Sequence, residues 1–221
     1  MPKLKPEEIA LRRREIVEAA RRCFIRSGFH QTTTDEICRE ANITPGGLYH
    51  YFSNKEELIK AVVRYAADSA LQVMQDTATG TPEPRVTLRK VGEFFIRGLY
   101  ERDFENVARL DLETWSEAMR NGDLLRIIHE GRAATRNSVA QVIRDAIGRG
   151  EYSDQVDPVA LANLFVAIFT GLRLSKLLGP NDVDPDKVLD ALRVLVRGEL
   201  LSKPDAPPAE GSAPRPAART S

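Results

Sequence analysis

The sequence predicts an all-α protein of about nine helices. Apolar residues recur at the three- and four-residue spacing of amphipathic helices along most of the 221 residues. Strand signals are nearly absent, because no segment keeps a period-two alternation and no hairpin dipeptide joins two apolar runs. Capping residues, glycines and prolines separate the periodic segments, and they indicate where each helix begins and ends.

The chain begins with one long and one short predicted helix. The first has one apolar face and ends at Gly28, because glycine commonly terminates helices. The second opens at Thr33 and Glu36, whose spacing is that of a capping box. Asn42 follows it in a tight turn, since asparagine tolerates the positive φ that such a turn needs. A short helix tightly joined to its successor is therefore expected.

The third predicted helix, from Pro45 to about Phe52, has an unusual first turn. Thr44 suits the N-cap, and Pro45 suits the first helical position, where a missing N–H costs nothing. Gly46 and Gly47 follow, although a glycine costs about 1 kcal/mol relative to alanine inside a helix. This turn is poorly built for stability, but it lets another molecule approach the helix backbone closely.

Six further helices complete the predicted fold. Asn54 and Glu57 form a second capping box, which opens a fourth helix that continues to about Ala78. The segment 79–84 interrupts the pattern with glycine and proline. Five more helices are predicted after it, at residues 84–102, 104–120, 122–149, 157–178 and 185–201. The segment 203–221 is rich in proline and alanine without apolar periodicity, so it is predicted to be disordered.

The two short helices and their tight turn predict a helix-turn-helix. In this motif the second helix enters the DNA major groove, with its N-terminal residues against base edges and phosphates. The free N–H groups and the dipole at that helix end favour a phosphate. Hydroxyl, imidazole and ammonium donors surround it at Thr32, Thr33, Thr34, Tyr49, His50, Tyr51 and Lys55. The alternative is that the tyrosines only pack, but packing does not require bare glycines beside donors.

Charge and cysteine usage set limits on the function. Basic and acidic side chains both number 32, which excludes a globally basic coat for nucleic acid. Residues 1–60 carry 11 basic and 9 acidic side chains, which suits contact with a polyanion through one end but equally suits ordinary solvated helices. Cys23 and Cys38 have no metal-ligand spacing and are expected to be small core residues in a reducing cytoplasm. Neither a signal segment nor a membrane span of about 18 apolar residues is expected.

Residues 28–58 carry a resemblance to a known family. The stretch reads GFHQTTTDEICREANITPGGLYHYFSNKEEL, and it resembles the DNA-binding domain of the tetracycline-repressor (TetR) family of bacterial regulators. The matching positions are Gly28, Thr32, Thr33, Ile37, Ala41, Ile43, Gly47, Leu48, Tyr49, Phe52, Lys55 and Leu58. Asn42 and Cys38 depart from the glycine and alanine that are common there. Further along, the stretch LETWSEAMRN is similar to the branch of choline- and betaine-responsive regulators.

The resemblance implies a division of the chain and roles for its residues. Residues 1–60 would bind DNA, 61–202 would bind a ligand and dimerise, and 203–221 would form a tail. By the same likeness, phosphates would be gripped by Thr33, Tyr49 and Lys55. Base edges would lie near Thr34, Pro45, Gly46 and His50, and Tyr51 could serve either purpose.

The two C-terminal helices are predicted to form a homodimer interface. The helix at 157–178 is apolar nearly all round, which indicates burial on most sides. A second apolar helix follows at 185–201. A monomeric core would explain both helices, but paired half-sites on DNA favour four helices contributed by two copies.

A ligand pocket is predicted beside the helix at 104–120. Asp111 falls inside an apolar stripe that includes Trp115, and a buried carboxylate needs a partner. Arg132 holds a similar position on the next helix, so an Asp111–Arg132 ion pair is the simpler interpretation. The alternative is that Asp111 and Trp115 face a cationic or hydrogen-bonding ligand. The aromatic candidates for core or pocket wall include Phe94, Tyr100 and Phe169.

These observations together predict a ligand-responsive transcriptional regulator rather than an enzyme. His30, His50 and His129 are scattered, and the sequence offers neither a phosphate-binding loop nor a metal cluster, so no cofactor is expected. The predicted partners are a near-palindromic double-stranded operator, a small-molecule effector and a second copy of the chain, with no membrane. Repression is the expected mode of action. The alternatives are an architectural DNA-binding protein without a ligand and a helical carrier of small molecules.

Overall fold

A computed structural model of the chain describes residues 5–79 and 84–197. Within those ranges it contains nine helices and no strand, which confirms the predicted fold class. The helices are α1 (Pro6–Gln31), α2 (Thr34–Glu40), α3 (Pro45–Tyr51), α4 (Lys55–Thr79), α5 (Pro84–Gly98), α6 (Phe104–Ala118), α7 (Gly122–Gly148), α8 (Pro158–Leu178) and α9 (Pro185–Arg197). The described residues divide into two units, one before and one after the boundary at Pro185.

The predicted helix boundaries agree with the structure to within a few residues. The largest difference is the end of α5, which was expected at residue 102 but lies at Gly98 because the chain turns there. Leu99 and Tyr100 close that turn by donating to carbonyls three residues earlier. The predicted end of α9 at residue 201, the disordered segment 203–221 and most of the break at 79–84 lie outside the described residues.

Gly28 breaks α1 three residues before its end. Its φ of +75° is favoured by glycine, and helical residues resume on the other side of the break. This change of direction places Phe29 against Phe24, with the two rings edge to face and their centroids 5.0 Å apart. Both rings are buried, so the break turns Phe29 into the core, whereas His30 and Gln31 stay exposed.

The N-terminal helices share one apolar core. Helices α1 to α4 bury Ile16, Phe24, Ile37, Leu48 and Phe52 in it, together with further small and aliphatic residues. Cys23 and Cys38 belong to the same core as free thiols, which confirms their prediction as small core residues. Burial raises the pKa of both thiols.

The tight turn between α2 and α3 has the predicted left-handed residue. Asn42 adopts a φ of +49°. The guanidinium of Arg12 on α1 donates to the carbonyls of Ala41 and Asn42, at 3.2 and 3.0 Å. Helix α1 therefore fixes the backbone that sets the angle between the two short helices.

The helices after α3 form a body that packs directly on α1. Helix α4 lies against α1, α5 and α7, and α6 contacts α1, α7 and α8. A second buried cluster joins α4, α7 and α8 through Met74, Val139, Ile143 and Ala162. Because α6 touches both α1 and α8, it links the N-terminal helices to the far side of the body.

Helix α8 has an extensive apolar surface that the single chain leaves in solvent. Among the described residues it is the one helix whose length and composition would suffice to span a membrane, which the sequence analysis did not anticipate. Only 11% of its most apolar window is buried. Its exposed side chains include Val159, Leu164, Leu174 and Leu178. Such a surface indicates an interface that one chain does not complete.

Candidate nucleic-acid interface and cavity

The N-terminal turn of α3 is an exposed helix end. Thr44 is its N-cap, and the threonine hydroxyl oxygen accepts a hydrogen bond from the Gly47 N–H at 3.2 Å. Thr44, Pro45 and Gly46 are all exposed. Leu48 points the other way and is buried. The helix is therefore anchored by one leucine while its first turn faces solvent.

Packing within the chain requires a glycine at only one of the two glycine positions of this turn. A Cβ at Gly47 would approach Cγ1 of Ile43 to 2.7 Å, so packing within the chain already requires a small residue there. At Gly46 a Cβ would meet no atom of the chain within 4 Å. No atom of the described structure requires a glycine at position 46.

Hydrogen-bond donors surround the open turn. Tyr49 is 53% exposed and His50 is exposed beside it, whereas Tyr51 is half-buried and packs on the N-terminal core. The rings of His50 and Tyr51 meet edge to face with centroids 5.3 Å apart. Lys55, at the start of α4, has no carboxylate partner in the described part of the chain. Tyr49 and His50 therefore present phenol and imidazole groups to solvent, and Lys55 adds an ammonium group at the start of α4.

The three consecutive threonines before α2 have different environments. Thr32 is 1% exposed, and its hydroxyl donates to the carbonyl of Gly28 at 2.7 Å. Its prediction as a DNA contact is therefore wrong, because the break in α1 turns the hydroxyl inward as a helix cap. Thr33 is exposed and forms the predicted capping box with Glu36, and Thr34 is half-buried at the first position of α2.

Most arginines of α1 are already paired. Arg22 and Arg26 both reach Glu40 on α2, at 2.7 and 2.8 Å. Arg13 donates to the Tyr51 carbonyl at 2.6 Å and lies over the ring of Phe52. The basic excess that the sequence shows near its N-terminus therefore holds α1 to α2, α3 and α4, and little of it is free to face a polyanion.

A partly open cavity of about 400 Å³ lies between α1, α4, α6, α7 and α8, and Phe95 of α5 also lines it. Its walls are mainly apolar and aromatic, with three threonine hydroxyls among them. The charged residues that line it are Arg21, Asp111, Arg132 and Arg173. A cleft of this size and composition is typical of a small-molecule site.

Asp111 does not form the ion pair with Arg132 that the sequence favoured, so that prediction is wrong. It forms an ion pair with Arg173 of α8, because α6 packs on α8 and brings the carboxylate to that helix. Arg132 lines the cavity and has no ion-pair partner among the described residues. Burial raises the pKa of Asp111, and the charges of Arg173 and Arg21 oppose this rise.

The other predicted ligand residues divide between the cavity and its surroundings. Trp115, Arg132 and Phe169 line it, as does Asp111. Tyr100 does not line it: the ring is 55% exposed and lies 5.8 Å from the ammonium of Lys176. The side chain of Phe94 lies outside the described part of the structure.

The sequence analysis missed two charged residues of the cavity. Arg173 is a cation within the apolar helix α8, one turn after Phe169, and that spacing could have identified it. Arg21 lies one turn before Ile25 on α1, and both line the cavity. Among the described residues, no group of three or more His, Cys, Asp and Glu side chains could hold a metal ion.

An exposed helix N-terminus in a capped helix pair, joined to a helical body with a small-molecule cavity, defines a helix-turn-helix regulator. Residues 16–62 match the family of bacterial regulatory proteins, tetR family, and residues 84–201 match the BetI-type transcriptional repressor, C-terminal. The chain therefore belongs to the tetR family. It is a DNA-binding transcriptional regulator, and regulators of this family bind operator DNA as dimers and respond to small-molecule effectors.

Curated relatives and solved structures agree with this assignment. The helix-turn-helix-type transcriptional regulator UidR of Escherichia coli K12 is 27% identical over 192 residues, which cover 86% of this chain and 93% of UidR. The regulator BetI of Burkholderia ambifaria is 26% identical over 190 residues, covering 83% and 90% of the two chains. The structure of Salmonella enterica GusR superposes with a TM-score of 0.66 at 26% identity, over 88% of this chain and 98% of GusR.

Proposed function

We propose that this protein represses transcription by placing the first turn of α3 in the major groove of a near-palindromic operator. The observation that supports it best is Gly46, which is exposed and meets no neighbour that would require a glycine. A bare turn lets the helix backbone approach the duplex, and the free N–H groups attract a phosphate. The proposed contact residues are Thr33, Thr34, Thr44, Pro45, Gly46, Gly47, Tyr49, His50, Tyr51 and Lys55.

The proposed contacts fall into two groups. Thr33, Tyr49 and Lys55 would bind phosphates, since their donors lie at the edges of the exposed turn and carry no base-specific pattern. Thr34, Pro45, Gly46 and His50 would lie near base edges. Tyr51 is half-buried and packs on the core, which favours a supporting role with its hydroxyl toward the backbone of the DNA.

The cavity between α1, α4, α6, α7 and α8 is the proposed effector site. Its volume of about 400 Å³ and mainly apolar walls suit a small organic molecule. Because α1 also supplies part of the N-terminal core, a ligand that fits only one arrangement of α1 shifts the spacing of the recognition helices. The size of the response is set by the difference in ligand affinity between the two arrangements.

The exposed face of α8 is the proposed dimer interface. Leu164 and Leu178 remain 59% and 76% exposed in one chain, and a second copy would cover them. A dimer supplies two α3 helices for two half-sites. The sequence-based assignment of 185–201 to the same interface, and the division into 1–60, 61–202 and 203–221, stay predictions.

The proposal places the protein in the cytoplasm, where it meets chromosomal DNA, and it assigns the chain no catalytic step and no cofactor. The family consists of transcriptional regulators, which are not enzymes. The cavity is therefore interpreted as a binding site, in which occupancy rather than chemistry is the signal.

Selection of duplexes from a random library tests the proposal directly. We expect an inverted repeat to be enriched, and two chains to bind each duplex with an affinity that falls steeply with salt. Duplex binding without any inverted repeat, unaffected by metabolite extracts, would support an architectural protein instead. Absence of salt-dependent duplex binding would support a small-molecule carrier.

A further inference from the structure

The cavity carries more positive than negative charge. Three guanidinium groups, of Arg21, Arg132 and Arg173, line it together with one carboxylate, that of Asp111. The remaining lining residues of the described structure are uncharged. The excess of two positive charges favours a ligand that supplies a counter-charge, and water screens part of it because Arg132 is exposed and Arg21 is half-buried.

One of the three guanidinium groups is already neutralised. Arg173 is in an ion pair with Asp111, so neither is available to a ligand without breaking that pair. Arg21 and Arg132 form no ion pair within the described ranges. One turn beyond Arg132 on α7, the buried Nε of Arg136 is also without a hydrogen-bond acceptor in the described structure. Among the described residues that line the cavity, the two charged groups without an ion pair are both cations.

The rest of the cavity suits an apolar body. The Phe95 and Phe169 rings stack with centroids 4.7 Å apart, and both line the cavity together with Trp115. Thr114, Thr135 and Thr170 also line it, and the Thr114 and Thr170 hydroxyls already donate to carbonyls of their own helices. Aromatic walls with few free donors favour burial of ring or aliphatic surface.

We propose that the effector is an organic anion whose charge is balanced by Arg21 and Arg132 and whose apolar body packs against Trp115 and Phe169. This inference rests on the proposed function, in which the cavity is the effector site. The pairing of Asp111 with Arg173 argues against the cationic ligand that the sequence suggested, because the carboxylate already has its counter-ion.

The position of Arg21 connects the anion to DNA binding. Arg21 lies on α1, the same helix whose Arg12 holds the turn between α2 and α3 through two carbonyls. An acidic group that pairs with Arg21 acts on α1 itself, with no intermediate helix. The anion binds more tightly to the arrangement of α1 that brings Arg21 closest to it. This difference in affinity between the two arrangements shifts the protein toward that one, and with it the spacing of the recognition helices.

The chain contains a built-in reporter of this cavity. Trp115 lines it and is the only tryptophan in the sequence, so a bound aromatic dye accepts energy from it. Two dyes share one aromatic body: anilinonaphthalene sulfonate is an anion, and N-phenylnaphthylamine lacks the sulfonate. Both are titrated into the full-length protein, with excitation of Trp115 and detection of dye emission. Benzyltrimethylammonium, detected by quenching of Trp115, supplies the cationic comparison.

We expect the sulfonate to bind about tenfold tighter than the neutral dye, since hydrogen bonds to a charged group are stronger than those between neutral groups. Arg132→Met should remove most of this preference, and Arg132 is exposed enough for the variant to fold. Arg21→Met should do the same. The control is Arg144→Gln on the solvent side of α7, which should leave the preference unchanged.

Three outcomes would overturn the assignment: equal affinity for the two dyes, a preference that survives both arginine variants, or tighter binding of the ammonium probe. Operator binding without any probe is measured on the same preparations. Intact operator binding with no sulfonate preference contradicts the ligand class alone. Failure of the wild-type protein to bind any selected duplex contradicts the proposed function instead.

Discussion

The carboxylate of Glu113 on α6 accepts a hydrogen bond from the backbone N–H of Phe29 on α1, over 2.9 Å. The same oxygen accepts from the N–H of His30 at 3.3 Å, so one carboxylate holds two backbone donors directly after the break at Gly28. Asp111, two residues earlier on α6, lines the cavity. One helix therefore touches the cavity and holds the end of α1.

Glu113→Ala should destabilise the protein and loosen this connection. We expect the free energy of unfolding to fall by roughly 1–3 kcal/mol, because two backbone donors lose a charged acceptor. Operator release should also require a different concentration of effector. Denaturant unfolding and operator binding measure the two effects. The control is Glu105→Ala on the same helix, which removes only an exposed contact 3.9 Å from Arg109; equal changes in both variants would contradict the assignment.

Gly46→Val should reduce operator affinity by at least about tenfold without lowering the melting temperature. Valine has a higher helix propensity than glycine, and the structure offers open space for it, so the fold should tolerate the change. Its branched side chain would keep the first turn of α3 away from the duplex. Gly98→Val, at another open helical glycine, is the matched control. Normal binding by Gly46→Val would show that groove entry does not depend on the bare turn.

Lys55→Ala should lower the salt dependence of operator binding. Removing one phosphate contact reduces the slope of log affinity against log salt by about 0.9, since one counterion fewer is released. Lys60→Ala is the matched control on the same helix, because Lys60 already pairs with Glu56 and Asp123 at 2.8 and 3.0 Å. Fluorescence anisotropy across salt concentrations gives both slopes, and an unchanged slope would remove Lys55 from the interface.

Tyr49→Phe should weaken binding about equally for all selected operator sequences. The phenol is proposed to contact a phosphate, so its loss removes affinity but no base discrimination. The ring stays in place, and the melting temperature should not change because Tyr49 is 53% exposed. Competition among operator variants measures the effect, and a change in their ranking would place the hydroxyl against a base instead.

Acid should weaken the start of α4. The Ser53 N–H donates a hydrogen bond to the Glu57 carboxylate, and the guanidinium of Arg13 donates a second one. Both hold the pKa of Glu57 below its usual range. In the unfolded chain the pKa of a glutamate is about 4.3. Because the pKa of Glu57 is lower in the folded state, its carboxylate stabilises the fold at pH values above about 4.3, and this stabilisation is lost as the pH falls through the folded-state pKa. Wild type should therefore exceed Glu57→Gln in unfolding free energy at neutral pH, with the gap closing in acid. A gap that does not change with pH would contradict the carboxylate's role.

Local signals in the sequence were sufficient for the helix pair. The Thr33–Glu36 capping box and the positive φ of Asn42 depend on residues within a few positions of one another, and both are present. Local signals could not show that Thr32 is buried while Thr33 is exposed. The burial of Thr32 follows from the break at Gly28 and from the direction of the chain beyond it.

The cavity was predictable only in part, because its charges meet across helices. Periodicity placed Asp111 and Trp115 on one face of α6, and both line the cavity. It could not choose between Arg132 and Arg173 as the partner of Asp111, since that choice depends on how α6 packs against α7 and α8. The sequence pattern also presented α8 as apolar nearly all round, so Arg173 was not recognised as a cation that lines the cavity.

Because the exposed leucines of α8 are covered only when two copies pair, the amount of dimer depends steeply on the concentration of the chain. Below the dissociation constant for pairing, the amount of paired chain rises with the square of the total, because two copies must meet to cover the face. Halving the concentration of the chain then cuts the concentration of the operator-competent dimer about fourfold. A modest drop in synthesis would thus free the target genes sharply, and the apolar face would set the threshold at which they switch.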